Sequence, residues 1–154
     1  MQIFVTGGTG LLGNTVLRQL FDRGHRSIAL VRADPAVAVF EGLDTQLVRG
    51  DLFDVPAIEN AISQCDAVIH AAGMIHLGWT RRDESMRINR DGTRTIIDAC
   101  IKYDRKLVHV GTVDTLAVGS KDLAASEQTP LAHAGGQVPC DYVLSKRAGV
   151  EEVL

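Results

Sequence analysis

Tyr142 and Lys146 stand four residues apart in the stretch YVLSK, a spacing that on a helix stacks a phenol and an ammonium on one face. A free phenol titrates near pH ~10 and exchanges protons poorly at neutral pH, but a fixed cation beside it favours the phenolate. Such a pair can pass a proton to or from a ligand oxygen. Thr112, in VHVGTVD, adds a hydroxyl able to hold the same oxygen. An ordinary amphipathic surface pair has the same spacing as Tyr142 and Lys146, so the pair gains its weight from what precedes it in the chain.

What precedes it is a glycine-rich start. Residues 3–13 read IFVTGGTGLLG, the order of a strand, a tight turn and a helix N-terminus. A helix start presents N–H groups and a positive dipole end to an anion. Gly7 permits the turn, Gly10 removes a side chain that would keep a pyrophosphate off the backbone, and Gly13 lets the helix pack on the strand. The spacing Gly-x-x-Gly-x-x-Gly is one residue wider at its first gap than the commonest dinucleotide fingerprint. Thr9, Leu11 and Leu12 complete the set expected to face a cofactor here.

The elements that must position these groups alternate. A helix carries Leu11, Leu12, Val16, Leu17, Leu20 and Phe21 at helical period and ends at Gly24. Strands are expected over 27–32, 45–48, 67–72 and 107–110. Helices are expected over 36–41, after Asp54, over 82–103 and from Asp141 onward. Each strand is a short continuous apolar run, as in a parallel sheet covered on both faces. The fold class is therefore α/β, a doubly wound parallel sheet with its ligand crevice at the C-terminal strand ends. Residues 113–139, with Gly119, Pro130, Gly135, Gly136 and Pro139, read as a long functional loop.

In such a sheet the end of the second strand meets the adenosine ribose. Arg32 stands there, and a guanidinium suits a 2′-phosphate, so NADP is expected over NAD; the alternative is that Asp34 takes the ribose. Asp51 and Leu52 follow the third strand, where a carboxylate can accept from an adenine amino group. Ala71, Ala72 and Gly73 close the fourth strand with small residues that let backbone lie beside a ligand. Met74, His76 and Trp79 follow, where a substrate could pass, although a loop packing role fits them equally.

The 154 residues, 45% hydrophobic and 23% charged with a net charge of −3, describe one globular domain with no electrostatic bias toward nucleic acid or an anionic membrane. Arg81, Arg82, Arg87, Arg90 and Arg94 alternate with acids and read as a solvated helix face. Cys65, Cys100 and Cys140 lack metal-ligand spacing and read as free thiols. His70 and His109, inside apolar strands, read as satisfied core or sheet-end histidines rather than ligands. With no apolar run long enough to span a bilayer, and a strand beginning right after Met1, a cytoplasmic location is expected.

Across its whole length the chain resembles the extended short-chain dehydrogenase/reductases, the NAD(P)-dependent epimerase/dehydratase group, nearest to its dihydroflavonol-reductase-like and 3β-hydroxysteroid-dehydrogenase-like branch. The resemblance is carried by TGGTGLLG at 6–13, GDL at 50–52, VIHAAG at 68–73, INRDGT at 88–93, LVHVGT at 107–112, SEQTP at 126–130 and YVLSK at 142–146. It implies that Gly7, Gly10 and Gly13 bind the pyrophosphate, and Asp51 with Leu52 the adenine. Thr112, Tyr142 and Lys146 would be the catalytic triad, supported by Asn89, with Tyr142 and Lys146 also touching cofactor.

The implied activity is NADP-dependent oxidation or reduction at a carbonyl or secondary alcohol carbon of a small molecule. The alternatives are a nucleotide-sugar epimerase or dehydratase holding NAD, and a non-catalytic dinucleotide-binding module. Family members continue beyond the Tyr/Lys helix, so residues 1–154 are expected to be the cofactor-binding Rossmann part without the C-terminal substrate lobe. An exposed fifth strand, a last helix without a packing partner and a marginal or self-associating chain are expected with it. A homodimer through the helices at 82–103 and 141–154 is the implied oligomer.

Overall fold

The computed structural model describes residues 1–32, 37–115, 121–126, 128 and 140–154. They form two compact units, Met1–Gly73 with Gly92–Val110, and Met74–Asp91 with Gly111–Leu154.

The first unit is a five-stranded parallel sheet. Its strands are β1 (Gln2–Thr6), β2 (Arg26–Val31), β3 (Thr45–Arg49), β4 (Ala67–His70) and β5 (Lys106–His109), in the order β3-β2-β1-β4-β5. The chain winds outward from β1 to β3, then returns to β4, so the order reverses between β1 and β4, which pair from Ile3 with Ala67 to Thr6 with His70. Ligands bind at such a switch point in open α/β sheets. Helices α1 (Leu11–Asp22), α2 (Val55–Ser63) and α4 (Gly92–Lys102) connect the strands.

Alternation along the strands sends Ile3, Val5, Ala29 and Val31 to one face, against Leu17 and Leu20 of α1 and Phe40. Phe4, Ile28 and Val68, in register with one another, are buried with Ile58 and Ile62 of α2 and Ile96 of α4. Asp54 caps α2, its carboxylate accepting from the Ala57 N–H at 3.2 Å. Gly24, just past α1, takes φ +71°, where a side chain would be strained.

The apolar stripe expected on α1 is narrower than its sequence. Leu17 and Leu20 are buried, but Leu11 and Leu12 in the first turn of the helix and Phe21 in the last are exposed. Expected strand ends also shift. The fourth strand stops at His70, not Ala72: the Ala71 N–H still donates to the Thr6 carbonyl (3.3 Å), but the Ala72 N–H turns to the Thr6 hydroxyl, beside Gly7. The second ends at Val31, leaving Arg32 just outside it. The short helix expected over 36–41 is a 3₁₀ turn at Val37–Phe40.

A buried polar chain runs through this unit. The Ala72 N–H donates to Thr6 Oγ1 (3.1 Å), Thr6 Oγ1 meets His70 Nδ1 at 2.6 Å, and His70 Nε2 meets Thr93 Oγ1 at 3.1 Å. The expected core role of His70 is thereby met. The His109 ring lies 5.4 Å from it, tilted by 38°. Burial pushes the Cys65 and Cys100 thiols up to about 11, so neither is poised as a nucleophile.

In the second unit, the helix expected over 82–103 begins as α3 (Arg82–Met86) and widens into a π-helical turn at Arg87–Asp91, the α4 segment following in the first unit. Helix α5 (Asp141–Val153) packs against α3 and the π turn. The last helix therefore has the partner it was expected to lack. Among the described residues, no helix is long and apolar enough to cross a membrane. The loop residues 116–120 and 129–139, the Glu127 to Pro130 part of SEQTP except Gln128, and Asp34 lie outside the described residues.

Candidate active site

In the first unit the glycine turn is a place where side chains are excluded. Gly7 has φ +77°, and a Cβ there would lie 2.7 Å from the Ala71 carbonyl carbon and the Ala72 nitrogen. A Cβ on Gly13 would lie 2.1 Å from the Gly7 carbonyl oxygen. The turn, the start of α1 and the end of β4 are thus pressed together with no room for a methyl group. The Gly10 N–H donates to the Gly7 carbonyl (3.0 Å) and the Gly10 carbonyl accepts from Asn14 (2.9 Å), which closes the first turn of α1. Gly10 itself is the N-cap, and no side chain caps the helix. Thr9, Gly10, Leu11 and Leu12 are exposed, while Gly13 is buried. An uncapped, exposed helix start behind bare glycine backbone fits a diphosphate.

Arg32 is exposed at the C-terminal end of β2. Asp51 is exposed and folds one oxygen back onto the Phe53 N–H (2.7 Å). Leu52 is buried, its side chain against Gly92, where a Cβ would come within 2.7 Å. Only its main chain is therefore placed to meet a ligand. Ala71 and Ala72 are half-buried and Gly73 exposed.

In the second unit the chemistry-bearing residues sit around α5. Lys146 is only 5% exposed, and burial holds its ammonium below the usual lysine range. Tyr142 lies one turn earlier, half-buried. Thr112 is half-buried before a short 3₁₀ turn. Its hydroxyl donates to Asp114 Oδ2 (3.1 Å) and its carbonyl accepts from Thr115.

Asn89 sits in the π turn, 1% exposed. Its Oδ1 accepts from the Met74 N–H (2.7 Å), and its Nδ2 donates to the Met74 carbonyl (2.9 Å) and to Ser145 Oγ (2.9 Å). Ser145 in turn donates to the Tyr142 carbonyl (3.0 Å). One amide thereby ties residue 74 to the helix that carries Tyr142 and Lys146. A π turn at a functional position is a recurring device, since it re-aims one side chain inside a helix.

Sequence reasoning passed over Asp141 except as a helix start. Its carboxylate is fully buried, accepting from the Arg81 N–H (2.9 Å) and pairing with Arg82 Nε at 3.2 Å. The first two amides of α5 are satisfied by the strap before α3, Asp141 N–H by the Gly78 carbonyl (2.9 Å) and Tyr142 N–H by the His76 carbonyl (3.1 Å). An acidic residue at the start of a helix was the available signal. Arg82 is itself exposed, as expected, while its partner Asp141 is buried; Arg81 with Glu84 and Arg94 with Asp98 are ion pairs exposed on both sides.

The model of the NAD dependent epimerase/dehydratase family matches residues 3–154. The chain is 36% identical over 132 residues to the 4-hydroxy-2-methyl-3-oxo-4-farnesyl-3,4-dihydroquinoline-1-oxide ketoreductase of Stigmatella aurantiaca, a match covering 85% of this chain and 39% of that one. It is 37% identical over 114 residues to the 2-alkyl-3-oxoalkanoate reductase of Stenotrophomonas maltophilia, covering 73% of this chain and 33% of that one. A short-chain dehydrogenase/reductase superfamily protein of Agrobacterium tumefaciens, solved with bound NAD, superposes with a TM-score of 0.78 at 26% identity, over 99% of this chain and 44% of that one. The chain spans less than half the length of each of these proteins.

Proposed function

Since the chain belongs to the NAD dependent epimerase/dehydratase family within the extended short-chain dehydrogenase/reductases, we propose that it serves an NADP-dependent reduction of a ketone, with Tyr142 as the acid. The observation that carries this reading is Lys146, an ammonium taken almost wholly out of water one helical turn from a phenol. Lysine is rarely buried without a use.

In this reading Gly7, Gly10 and Gly13, with the amides of Thr9, Leu11 and Leu12, hold the diphosphate. Asp51 and the Leu52 main chain meet the adenine, and Ala71, Ala72 and Gly73 border the ligand. Arg32 takes the 2′-phosphate. The cofactor, when bound, supplies the hydride for the carbonyl carbon. Tyr142 gives its phenolic proton to the carbonyl oxygen, and the Lys146 cation lowers the cost of the phenolate left behind. Thr112 turns its hydroxyl from Asp114 to that oxygen. Asn89, through Ser145, keeps the Tyr142 carbonyl and hence the start of α5 in place.

The two curated reductases favour a ketone over a sugar: their names describe ketones that carry a farnesyl or an alkyl arm. We extend that substrate class to this chain. The second reading, an epimerase or dehydratase using NAD, is favoured by the bound NAD in the Agrobacterium protein. Protection from heat and protease separates the two. NADPH is expected to protect at a concentration about tenfold below NADH, and Arg32→Ala to erase that difference, the worth of one charge-assisted phosphate contact. Protection by NADH alone would overturn the NADP assignment. Protection by neither would remove the dinucleotide reading. A single-turnover assay on alkyl ketones, lost in Tyr142→Phe while cofactor protection persists, tests the acid.

A further inference from the structure

Residues 74–80, MIHLGWT, carry no acidic or basic side chain other than His76, and their pattern plays no part in the mechanism above. Their tethering alternates. Met74 exchanges both backbone bonds with the Asn89 amide, the His76 carbonyl accepts from Tyr142, and the Gly78 carbonyl accepts from Asp141. Met74, His76 and Gly78 are thus the tied ones. The odd-numbered ones, Ile75, Leu77 and Trp79, are 73%, 70% and 61% exposed.

Three exposed apolar side chains thus fall at every second residue of an irregular strap that bends over residues 78–80. The His76 ring lies over Gly78, where a Cβ would come within 2.8 Å of Nε2. Scattered exposed apolar residues are ordinary, whereas three within five residues of a tethered strap form a patch that calls for an occupant.

We propose that Ile75, Leu77 and Trp79 are the subsite for the apolar arm of the ketone, an alkyl or isoprenoid chain. The assignment rests on the ketone-reductase reading. The strap is bonded to the first two amides of α5, so the seat of the arm and the candidate acid Tyr142 are carried by one hydrogen-bonded piece of the second unit. Nothing on the strip offers a cation to a nucleotide sugar's diphosphate. The adjoining arginines are engaged, Arg81 with Glu84 and Arg82 with Asp141. An apolar chain lying along three apolar residues needs no such partner.

Trp79 is the only tryptophan in the chain, so its emission reports directly on the strip. The test titrates the 154-residue chain with 3-oxo esters of increasing chain length, and with UDP-glucose as the polar control. A saturable blue shift is expected with the long esters, affinity rising about fourfold per methylene until the strip is covered. Leu77→Ser is expected to weaken the longest ester about tenfold and leave the shortest unchanged. Emission unmoved by long esters, or moved equally by UDP-glucose, would overturn the assignment. So would ligand-free emission already blue that shifts to the red on dilution, since a second copy would then cover the strip. Protection by NADPH, measured on the same sample, tells a failure here from a failure of the cofactor reading.

Discussion

The candidate groups of residues Met1–Gly73 with Gly92–Val110 are mostly main chain; those of residues Met74–Asp91 with Gly111–Leu154 are side chains. In the first unit the candidate site is made by what is missing. Gly7 and Gly13 are required because any Cβ there would overlap backbone, and the proposed diphosphate would meet amides at an uncapped helix start. In the second unit the site is made by polar groups withdrawn from water: Asn89, Asp141, Ser145 and Lys146 are all buried. A main-chain site is held by the sheet and needs little else. A side-chain site survives only while every buried donor and acceptor keeps its partner, because a stranded one costs its full desolvation.

The comparison can be broken at either end. The largest effect is expected from Gly13→Ala, whose methyl has no space beside the Gly7 carbonyl. Stability should fall by about 4 kcal/mol, and cofactor protection should vanish. Thermal unfolding with and without NADPH measures both. Asn89→Leu removes three hydrogen bonds and strands the Met74 amide and carbonyl, at a cost of about 3 kcal/mol. Ketone turnover should drop while NADPH protection of the first unit remains. Loss of that protection as well would show that the two kinds of site are not separable.

The smallest effect sharpens the contrast through pH. Burial lowers the Lys146 value, so between the folded and unfolded values the unfolded chain binds the extra proton and stability rises with pH. Turnover, which needs the ammonium, should instead decline on the alkaline side before the free-lysine value of ~10.4 is reached. Lys146→Arg, charged throughout, should flatten that decline in a pH–rate profile.

Most of the first unit was legible, because its signals are local. The apolar run at 3–5, the glycines that follow and the Asp54 cap each declare their element within a few residues. The limits of such reading appear where distant residues decide. Ala71 and Ala72 look like strand, yet the Ala72 N–H turns to the side chain of Thr6, 66 residues away. The helix expected over 82–103 looks uniform. Its π turn turns Asn89 toward Met74 and toward Ser145, 56 residues away, a relation that no window of sequence contains. Asp141 was equally hidden, since its partners Arg81 and Arg82 lie 60 and 59 residues upstream.

The buried chain through His70 leaves its ring no idle edge. The Ala72 amide gives its hydrogen to Thr6, and the two ring nitrogens meet the Thr6 and Thr93 hydroxyls, each of which can give or receive. The imidazole is thus held at both edges, in the strand beside the glycine turn. No other side chain puts an acceptor and a donor on opposite edges of one rigid ring, which leaves position 70 without an equivalent substitute.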